Sequence, residues 1–431
     1  MPYYQDLHAL LGEVGHWADL RREQGAKTGP TLKRLRKELK RARKELRKAK
    51  PPDTALEREP NDLDEIRALR PQGPRLIWSR LKTAGLRDRL KGAWLGRAAG
   101  CTLGAPVEGW SIDDMARLAQ RAGTPFPPRD YWTNHPSPEV VRYGLSAVDD
   151  YLRGHMRAIP VDDDLTYTLL GLLILEDYGP AFTTGHVGDA WLKYLPVACT
   201  AEAVALDNLR NGVPAAQAGA KNNPFQEWIG ADIRSDPWAY MAPGWPEKAA
   251  ELAYRDAYLS HRQNGLYGAM FFAAAISAAF AVSDPVEALE IGLSEIPKDC
   301  RLARDLRWAI EHAPKLKDWR EARAAVDARF PGMHSVHTNN NACLTVFGLI
   351  LGGKDFTRTI GITVAMGLDN DCTAATAGSL LGAVIGIRNV PEHWWKPFRN
   401  KARTYLRHHE WFRNTNVVTR FRRAAERVWH A

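Results

Sequence analysis

The sequence predicts an all-α protein. Eleven segments between residues 87 and 387 show helical spacing of apolar side chains or an Ala- and Leu-rich helix composition. The alternation of apolar and polar residues that is typical of strands is scarce. Prolines and aromatic residues collect in the connections, as in Phe126-Pro127-Pro128. The predicted helical segments are 87–105, 163–178, 197–210, 247–260, 264–282, 285–295, 300–312, 318–329, 340–352, 357–367 and 371–387.

The most apolar stretch, residues 265–282, is uncharged and reaches the length at which a membrane span is considered. Its many small residues and the lack of a basic flanking loop favour a buried central helix instead. The sequence therefore predicts no membrane association.

Cysteine usage and the N-terminus bear on the compartment. The five cysteines of the chain are odd in number and widely spaced, with neither the spacing of a zinc site nor a disulfide framework. The first ten residues lack the charged region and apolar core of a secretory signal. We therefore expect a cytoplasmic protein.

Two helices are predicted before the apolar body of the chain. Residues 4–24 form the first, and a break around Gly25 separates it from a basic helix within residues 31–50. Apolar residues in the basic helix recur at alternating steps of three and four, which is a heptad seam. We predict a helical hairpin over residues 1–50, a polar linker over 51–80 that starts at Pro51-Pro52, and an all-α domain over 81–431.

The basic helix carries the net charge of the protein. Residues 31–50 contain eleven Lys and Arg and two Glu, which accounts for the net charge of +9 of the 431-residue chain. The simplest interpretation is a solvated face whose seam packs on the preceding helix or on a second copy of the chain, so that the N-terminal helices self-associate. Nucleic-acid binding is the less favoured alternative, since no aromatic residues are interleaved for stacking.

Three acidic clusters carry the functional prediction: Glu108, Asp162-Asp163-Asp164 and Asp369-Asn370-Asp371. One Asp at a helix start is an ordinary cap, but three adjacent carboxylates repel one another and exceed what a cap needs. Asp-rich helix starts that converge with a distant Glu supply an all-oxygen site for a hard divalent ion. The pattern predicts a metal-assisted hydrolase.

Glycines spaced by four residues indicate how these clusters meet. Each of two helical segments has a row of glycines along one face, which we call a glycine ridge. The missing side chains allow another backbone to approach closely. The ridge residues are Gly92, Gly96, Gly100 and Gly104 in one segment and Gly378, Gly382 and Gly386 in the other. If the two helices cross there, Glu108 comes together with Asp369 and Asp371.

The motifs resemble those of the ADP-ribosylglycohydrolase family. DRLKGAWLGRAAGCTLGAPVEG at residues 88–109, the paired acids before the helix at 163, and Gly367-Leu368-Asp369-Asn370-Asp371 before a Gly/Ala helix occur in the family's order. The resemblance covers about residues 85–390. It implies an orthogonal helical bundle of the ADP-ribosylglycohydrolase type with a binuclear Mg²⁺ site.

The resemblance also implies roles for individual residues. Glu108 is implied to act as general base on the attacking water or as a proton shuttle to the leaving group, with Asp163 as a second catalytic residue. The implied metal ligands are Asp162, Asp163, Asp164, Asp369, Asp371 and Cys372. His261, with Asn264 in the same YLSHRQNG segment, matches a position near the substrate. Asn341 belongs to a polar cluster that either contacts the substrate or caps a helix.

Six positions depart from the family pattern. Cys101 stands where an Asp often follows Gly100, Asp162 and Leu165 stand where Thr is usual, Leu368 and Asn370 replace the more usual Gly or Trp and Thr, and Cys372 stands where a Thr is common. Sulfur is a poor ligand for Mg²⁺, so one metal position is expected to be weak. The expected function is Mg²⁺-dependent cleavage of an ADP-ribosyl N- or O-glycosidic bond. The alternatives are a hydrolase of another glycoside, such as a nucleoside-like metabolite, and an inactive ADP-ribose-binding module.

Overall fold

The computed structural model describes residues 5–49 and 58–431, which belong to two compact units. The smaller unit comprises Met1–Glu57 and Pro331–His334, and the larger unit comprises Arg58–Phe330 and Ser335–Ala431. Pro51-Pro52 and the rest of the predicted linker up to residue 57 lie outside the described residues. The predicted domain boundaries at 50 and 80 stay predictions.

The smaller unit contains helices α1 (Gln5–Glu23) and α2 (Gly29–Leu46), close to the two predicted helices. Pro30 stands at the start of α2, where its missing N–H costs nothing. No residue of α2 is buried, and Leu10 and Trp17 of α1 are 55% and 50% exposed. Self-association and nucleic-acid binding through these helices stay predictions.

The larger unit is helical almost throughout, which confirms the all-α prediction. Its first helices are α3 (Leu63–Ala68), α4 (Leu86–Gly104), α5 (Ile112–Ala122), α6 (Asp163–Tyr178), α7 (Thr184–Tyr194), α8 (Thr200–Arg210), α9 (Ala215–Ala218), α10 (Asp236–Met241) and α11 (Pro246–Ala257). Its later helices are α12 (Asn264–Ala279), α13 (Pro285–Gly292), α14 (Arg301–His312), α15 (Trp319–Arg329), α16 (Thr338–Gly352), α17 (Phe356–Ala365), α18 (Asn370–Ile385) and α19 (Asn414–Trp429).

Each of the eleven predicted segments corresponds to one of these helices. The helices that the sequence analysis did not predict are short, or are amphipathic with many charges, as in α5 and α19. Two short antiparallel hairpins complete the unit: β1 (Val141–Arg142) with β2 (Ser146–Ala147), and β3 (Lys401–Arg403) with β4 (Trp411–Arg413).

Helix α12 lies at the centre of the larger unit, and all of its residues are buried. It packs against α10, α11, α13, α16 and α18. The prediction of a buried central helix at residues 265–282 is confirmed. Over the described ranges 5–49 and 58–431, the search for a helix long and apolar enough to span a bilayer finds none. A cytoplasmic location stays a prediction.

Helices α4 and α18 pack backbone to backbone through the two glycine ridges, as predicted. A Cβ atom on Gly96 would overlap the carbonyl oxygen of Gly378, and a Cβ on Gly92 would overlap that of Gly382. At the last glycine of the α4 ridge, a Cβ on Gly104 would meet the backbone of Asp371. The C-terminal end of α4 therefore lies against the N-terminal end of α18, where the acidic residues stand.

The Gly96→Ala substitution is expected to destabilise the protein by about 1–3 kcal/mol, because the new methyl group meets rigid backbone that no rotamer change relieves. Urea unfolding of the wild type and variant measures the loss. Gly185→Ala is the matched control in the same unit, since its new Cβ would only approach the Thr183 hydroxyl at 3.4 Å. Equal stability of the two variants would contradict the close-packing interpretation.

Residues 58–80, which the sequence analysis assigned to a polar linker, pack into the larger unit. Ile66 of α3 is fully buried, and the Trp78 ring lies against Gly244. The buried Glu59 carboxylate accepts hydrogen bonds from the Arg301 side chain at 3.1 Å. Isolated apolar residues in a polar stretch show no periodicity, which explains why the sequence did not reveal this packing.

Candidate metal centre and active site

Glu108 and the N-terminus of α18 meet at the end of the glycine ridge. A short 3₁₀ turn, Ala105–Val107, follows α4 and presents Glu108. The Gly109 N–H donates to the Leu368 carbonyl at 3.0 Å and joins the two loops. Ligand atoms of Glu108, Asp369 and Asp371 lie within 4.8 Å of one another. The predicted meeting of these carboxylates is confirmed.

Helix α6 brings the third acidic cluster to the same place. Asp162 is the N-cap of α6, and its Oδ1 accepts the Asp164 N–H at 3.2 Å. Asp164 forms one group of ligand atoms with Asp162 and Cys101, and another with Asp371 and Cys372, each within 4.8 Å. The three acidic clusters therefore form one acidic centre, which we define as Glu108, Asp162–Asp164, Asp369 and Asp371.

The acidic centre is tolerated partly because two helices begin there. Asp163 and Asp164 lie in the first turn of α6, and Asp371 lies in the first turn of α18. Free backbone N–H groups and the positive end of the helix dipole stabilise negative charge at these positions. Two converging helix starts are a favourable place for carboxylates, but they do not neutralise six of them.

Burial removes most of these carboxylates from water, which raises the energetic cost of their negative charge. Asp164, Asp369 and Asp371 are at most 4% exposed, whereas the Glu108 side chain is 41% exposed. Among the described residues, no hydrogen-bond partner is found for three oxygens of these buried side chains: Asp164 Oδ2, Asp369 Oδ1 and Asp371 Oδ1. Unpaired buried carboxylate oxygens are costly. Because hard oxygen donors suit divalent cations, the residues of the centre fit the metal that the sequence predicts.

The centre also shifts the protonation of its members. Burial raises the pKa of Asp162, Asp164 and Asp369 well above the ordinary value. The negative charge of Asp371 is the first cause that raises the pKa of Glu108, to about 7, with burial as the second cause.

Arg142 of β1 places a guanidinium group among these carboxylates. Its Nη1 donates to Glu108 Oε2 at 2.9 Å, and its Nη2 donates to Asp162 Oδ2 and Asp371 Oδ2, both at 3.1 Å. The next residue, Tyr143, donates its hydroxyl to Asp163 Oδ1 at 2.8 Å. The sequence analysis did not identify Arg142 or Tyr143 as part of the centre.

A second arginine, Arg97, forms an ion pair with the acidic centre. The fully buried Arg97 of α4 forms ion pairs of 2.7 Å with Asp164 and with Asp236 of α10. It also donates to the Asp164 carbonyl at 3.1 Å and to Thr168 Oγ1 at 2.9 Å. Arg97 is the only charged residue between Gly92 and Val107, which is a sequence signal for a buried ion pair that could have led to this contact.

Two cysteines lie among the acids. Cys372 and Cys101 are buried, and each belongs to one group of possible ligand atoms with Asp164. Burial raises the pKa of both thiols well above the ordinary value, which favours the neutral thiol over the thiolate that binds metals. The raised thiol pKa values therefore favour the carboxylate oxygens over the two thiols as candidate metal ligands.

The residues predicted to bind substrate lie in different surroundings. Asn341, in the first turn of α16, accepts the Asp369 N–H at 3.2 Å and so contacts the centre. His261 is fully buried beside Ser260, with 2.8 Å between its Nδ1 and the serine Oγ. Asn264 donates to Glu59 and Glu227 at 3.1 and 2.8 Å and accepts the Leu302 N–H.

Among the described residues, these hydrogen bonds of His261 and Asn264 go to elements other than the acidic centre. Burial lowers the pKa of His261 well below the ordinary value, so its ring is neutral. The substrate-binding roles of all three residues stay predictions, as do the catalytic and metal-binding roles.

The fold and the site together define a class of protein. It is a helical domain with an acidic centre at the N-termini of two helices. The model of the ADP-ribosylglycohydrolase family matches residues 82–429. The chain belongs to the ADP-ribosylglycohydrolase family, which is a family of glycosyl hydrolases.

A solved structure described as an "ADP-ribosylglycohydrolase-related protein complex" has a similar fold, with a TM-score of 0.55 and 21% sequence identity over 79% of this chain and 99% of that chain. This likeness supports the fold. Comparison with curated proteins finds no match.

Proposed function

We propose that the protein is a Mg²⁺-dependent hydrolase that cleaves an N- or O-glycosidic bond to ADP-ribose. The observation that supports this function is the convergence of six carboxyl groups from three separate segments, with buried oxygens that have no hydrogen-bond partner within residues 5–49 and 58–431. An ordinary helix cap or structural ion pair uses its oxygens. A centre that leaves them unpaired in the interior is suited to a cation.

The proposed metal ligands are Asp163, Asp164, Asp369 and Asp371. Two guanidinium groups, one of them shared with Asp236, face the six carboxyl groups of the centre. At least four formal negative charges remain when all of the acids are ionised, which matches the charge of two divalent cations. Bound Mg²⁺ supplies Lewis-acid activation of water and stabilises developing negative charge. Asp162 and Cys372 are proposed as weaker ligands.

Glu108 is the proposed general base. Its side chain is 41% exposed, against 1% for Asp162 and 2% for Asp371, so it can reach both water and substrate while these neighbours stay buried. Cleavage of a ribosyl bond passes through an oxocarbenium-like transition state, which a nearby carboxylate stabilises. Asp163, held by the Tyr143 hydroxyl at 2.8 Å, is proposed to help orient the water that Glu108 deprotonates.

A hydrolysis screen with and without Mg²⁺ tests the proposal. Its substrates are ADP-ribosyl-arginine, ADP-ribosyl-serine, O-acetyl-ADP-ribose and simple nucleosides, with chromatography of the released product as the measurement. We expect ADP-ribose to be released from at least one ADP-ribosyl substrate, to stop when EDTA is added and to resume when excess Mg²⁺ is restored.

The same screen separates the alternatives. Turnover of nucleosides alone would favour a hydrolase of another glycoside. Binding of ADP-ribose in calorimetry, without turnover of any substrate, would favour an inactive binding module. Full activity in EDTA would contradict the metal-assisted mechanism whatever the substrate.

A further inference from the structure

The acidic centre is covered by a short hairpin, residues 141–147, that comprises β1, β2 and the turn between them. Only two residue pairs join its strands, Val141 with Ala147 and Arg142 with Ser146. Tyr143 at the turn has a φ of 52°, an uncommon value for a residue with a side chain. A ladder this short has little stability of its own, so contacts with the rest of the chain hold the hairpin in place.

Several of those contacts are made with the acidic centre. Arg142 binds Glu108, Asp162 and Asp371 and also donates to the Ala105 carbonyl at 3.0 Å. Tyr143 binds Asp163. Other contacts anchor the rest of the hairpin: Ser146 Oγ accepts the Val161 N–H at 3.3 Å, Arg403 donates to the Leu145 carbonyl at 2.8 Å, and the Tyr143 and Tyr405 rings lie 5.3 Å apart. The carboxylates therefore hold the Arg142–Tyr143 end of the hairpin in place.

The fit of Arg142 in the centre is incomplete. Its Nε is buried and finds no hydrogen-bond partner in the part of the chain that the structure describes, although its two terminal nitrogens are fully engaged. A single positive charge also faces three carboxylates. A divalent cation carries twice the charge in a smaller volume, so it attracts the same oxygens more strongly than the guanidinium does.

We propose that Arg142 and divalent cations compete for the carboxylate oxygens of Asp162 and Asp371. When a cation binds there, the guanidinium leaves and the hairpin lifts from the centre, which opens the buried carboxylates to substrate. Arg142 is thus a positioning residue that couples cation binding to access. This inference rests on the proposed function, because it requires that the centre binds a divalent cation.

The test combines calorimetry with hydrogen–deuterium exchange on the full chain, with MgCl₂ alone as the probe. In the wild type, Mg²⁺ is expected to increase amide exchange in residues 140–149, where the Val148 N–H now donates to the Val140 carbonyl at 2.8 Å. Arg142→Ala is expected to bind Mg²⁺ at least ~10-fold more tightly than the wild type, because the competing charge is gone.

Arg153→Ala is the matched control. It removes an arginine that is 61% exposed and paired with Asp130 rather than with the centre, so its Mg²⁺ affinity is expected to equal that of the wild type. The exchange measurement in the wild type needs no variant, so the test stands even if Arg142→Ala fails to fold.

The outcomes separate the inference from the proposed function. Mg²⁺ binding to the wild type without any change of exchange in residues 140–149 would overturn the competition between Arg142 and the cation, and would leave the metal-dependent hydrolase standing. Equal Mg²⁺ affinity of Arg142→Ala and Arg153→Ala would overturn it too. Absence of Mg²⁺ binding to both the wild type and Arg142→Ala would overturn the inference and the proposed metal centre together.

Discussion

The Asp371→Asn substitution is expected to lower turnover about 10³-fold, since electrostatic stabilisation at the reacting centre is lost. Asp371 belongs to two groups of possible ligand atoms, one with Asp164 and Cys372 and one with Glu108 and Asp369. Asparagine keeps the size of the side chain and one oxygen, but it removes the negative charge that attracts a divalent cation. The rate of ADP-ribose release and the Mg²⁺-induced shift in unfolding temperature are the measurements.

Asp113→Asn is the matched control, because Asp113 is an exposed aspartate in the first turn of α5. The control is expected to keep both the turnover and the Mg²⁺-induced shift of the wild type. Turnover of Asp371→Asn within a factor of two of the control would show that Asp371 does not serve the reaction. The unfolding temperature without Mg²⁺ distinguishes a chemical defect from a folding defect.

The Arg97→Met substitution is expected to destabilise the protein by about 3–5 kcal/mol, the usual cost of removing one partner from a buried ion pair. Arg97 joins α4 to α6 and α10 through its 2.7 Å contacts with Asp164 and Asp236. Methionine fills similar space but leaves two buried carboxylates without their cation. Urea unfolding, with the free energy extrapolated to water, measures the loss.

Two further variants sharpen this result. Arg117→Met removes an arginine that is 57% exposed and paired with Asp114, and it is expected to change the unfolding free energy by no more than about 0.5 kcal/mol. Adding Asp236→Asn to Arg97→Met is expected to recover part of the lost stability, because one unpaired charge is removed. A loss of less than about 1 kcal/mol in Arg97→Met would contradict the structural role of this ion pair.

The parts of the site that the sequence predicted are those with a local pattern. Glycines at four-residue spacing predicted the contact of α4 with α18, and that contact alone places Glu108 beside Asp371. Consecutive aspartates at the start of α6 predicted that a third acidic cluster belongs to the site. In each case the periodicity of one helix determines which residues share a face, so no knowledge of the tertiary structure was needed.

Arg142 could not be predicted in the same way. It lies in a strand of two residues inside a long connection, and its partners are 20, 34 and 229 positions away along the chain. No periodicity connects such residues. The packing of residues 58–80 was missed for a related reason, since single anchors such as Trp78 and Glu59 contact distant elements without a repeating pattern.

The glycine contact between α4 and α18 also limits how the acidic centre can move. The two backbones are in contact at successive turns, and a Cβ on Gly92, Gly96, Gly378 or Gly382 would lie within 2.3 Å of a carbonyl oxygen of the other helix. Because backbone meets backbone at each of these positions, we expect the helix pair to resist sliding and the spacing between Glu108 and Asp371 to be buffered against repacking elsewhere in the core. Adjustments of the centre fall to the loops that follow α4 and precede α18.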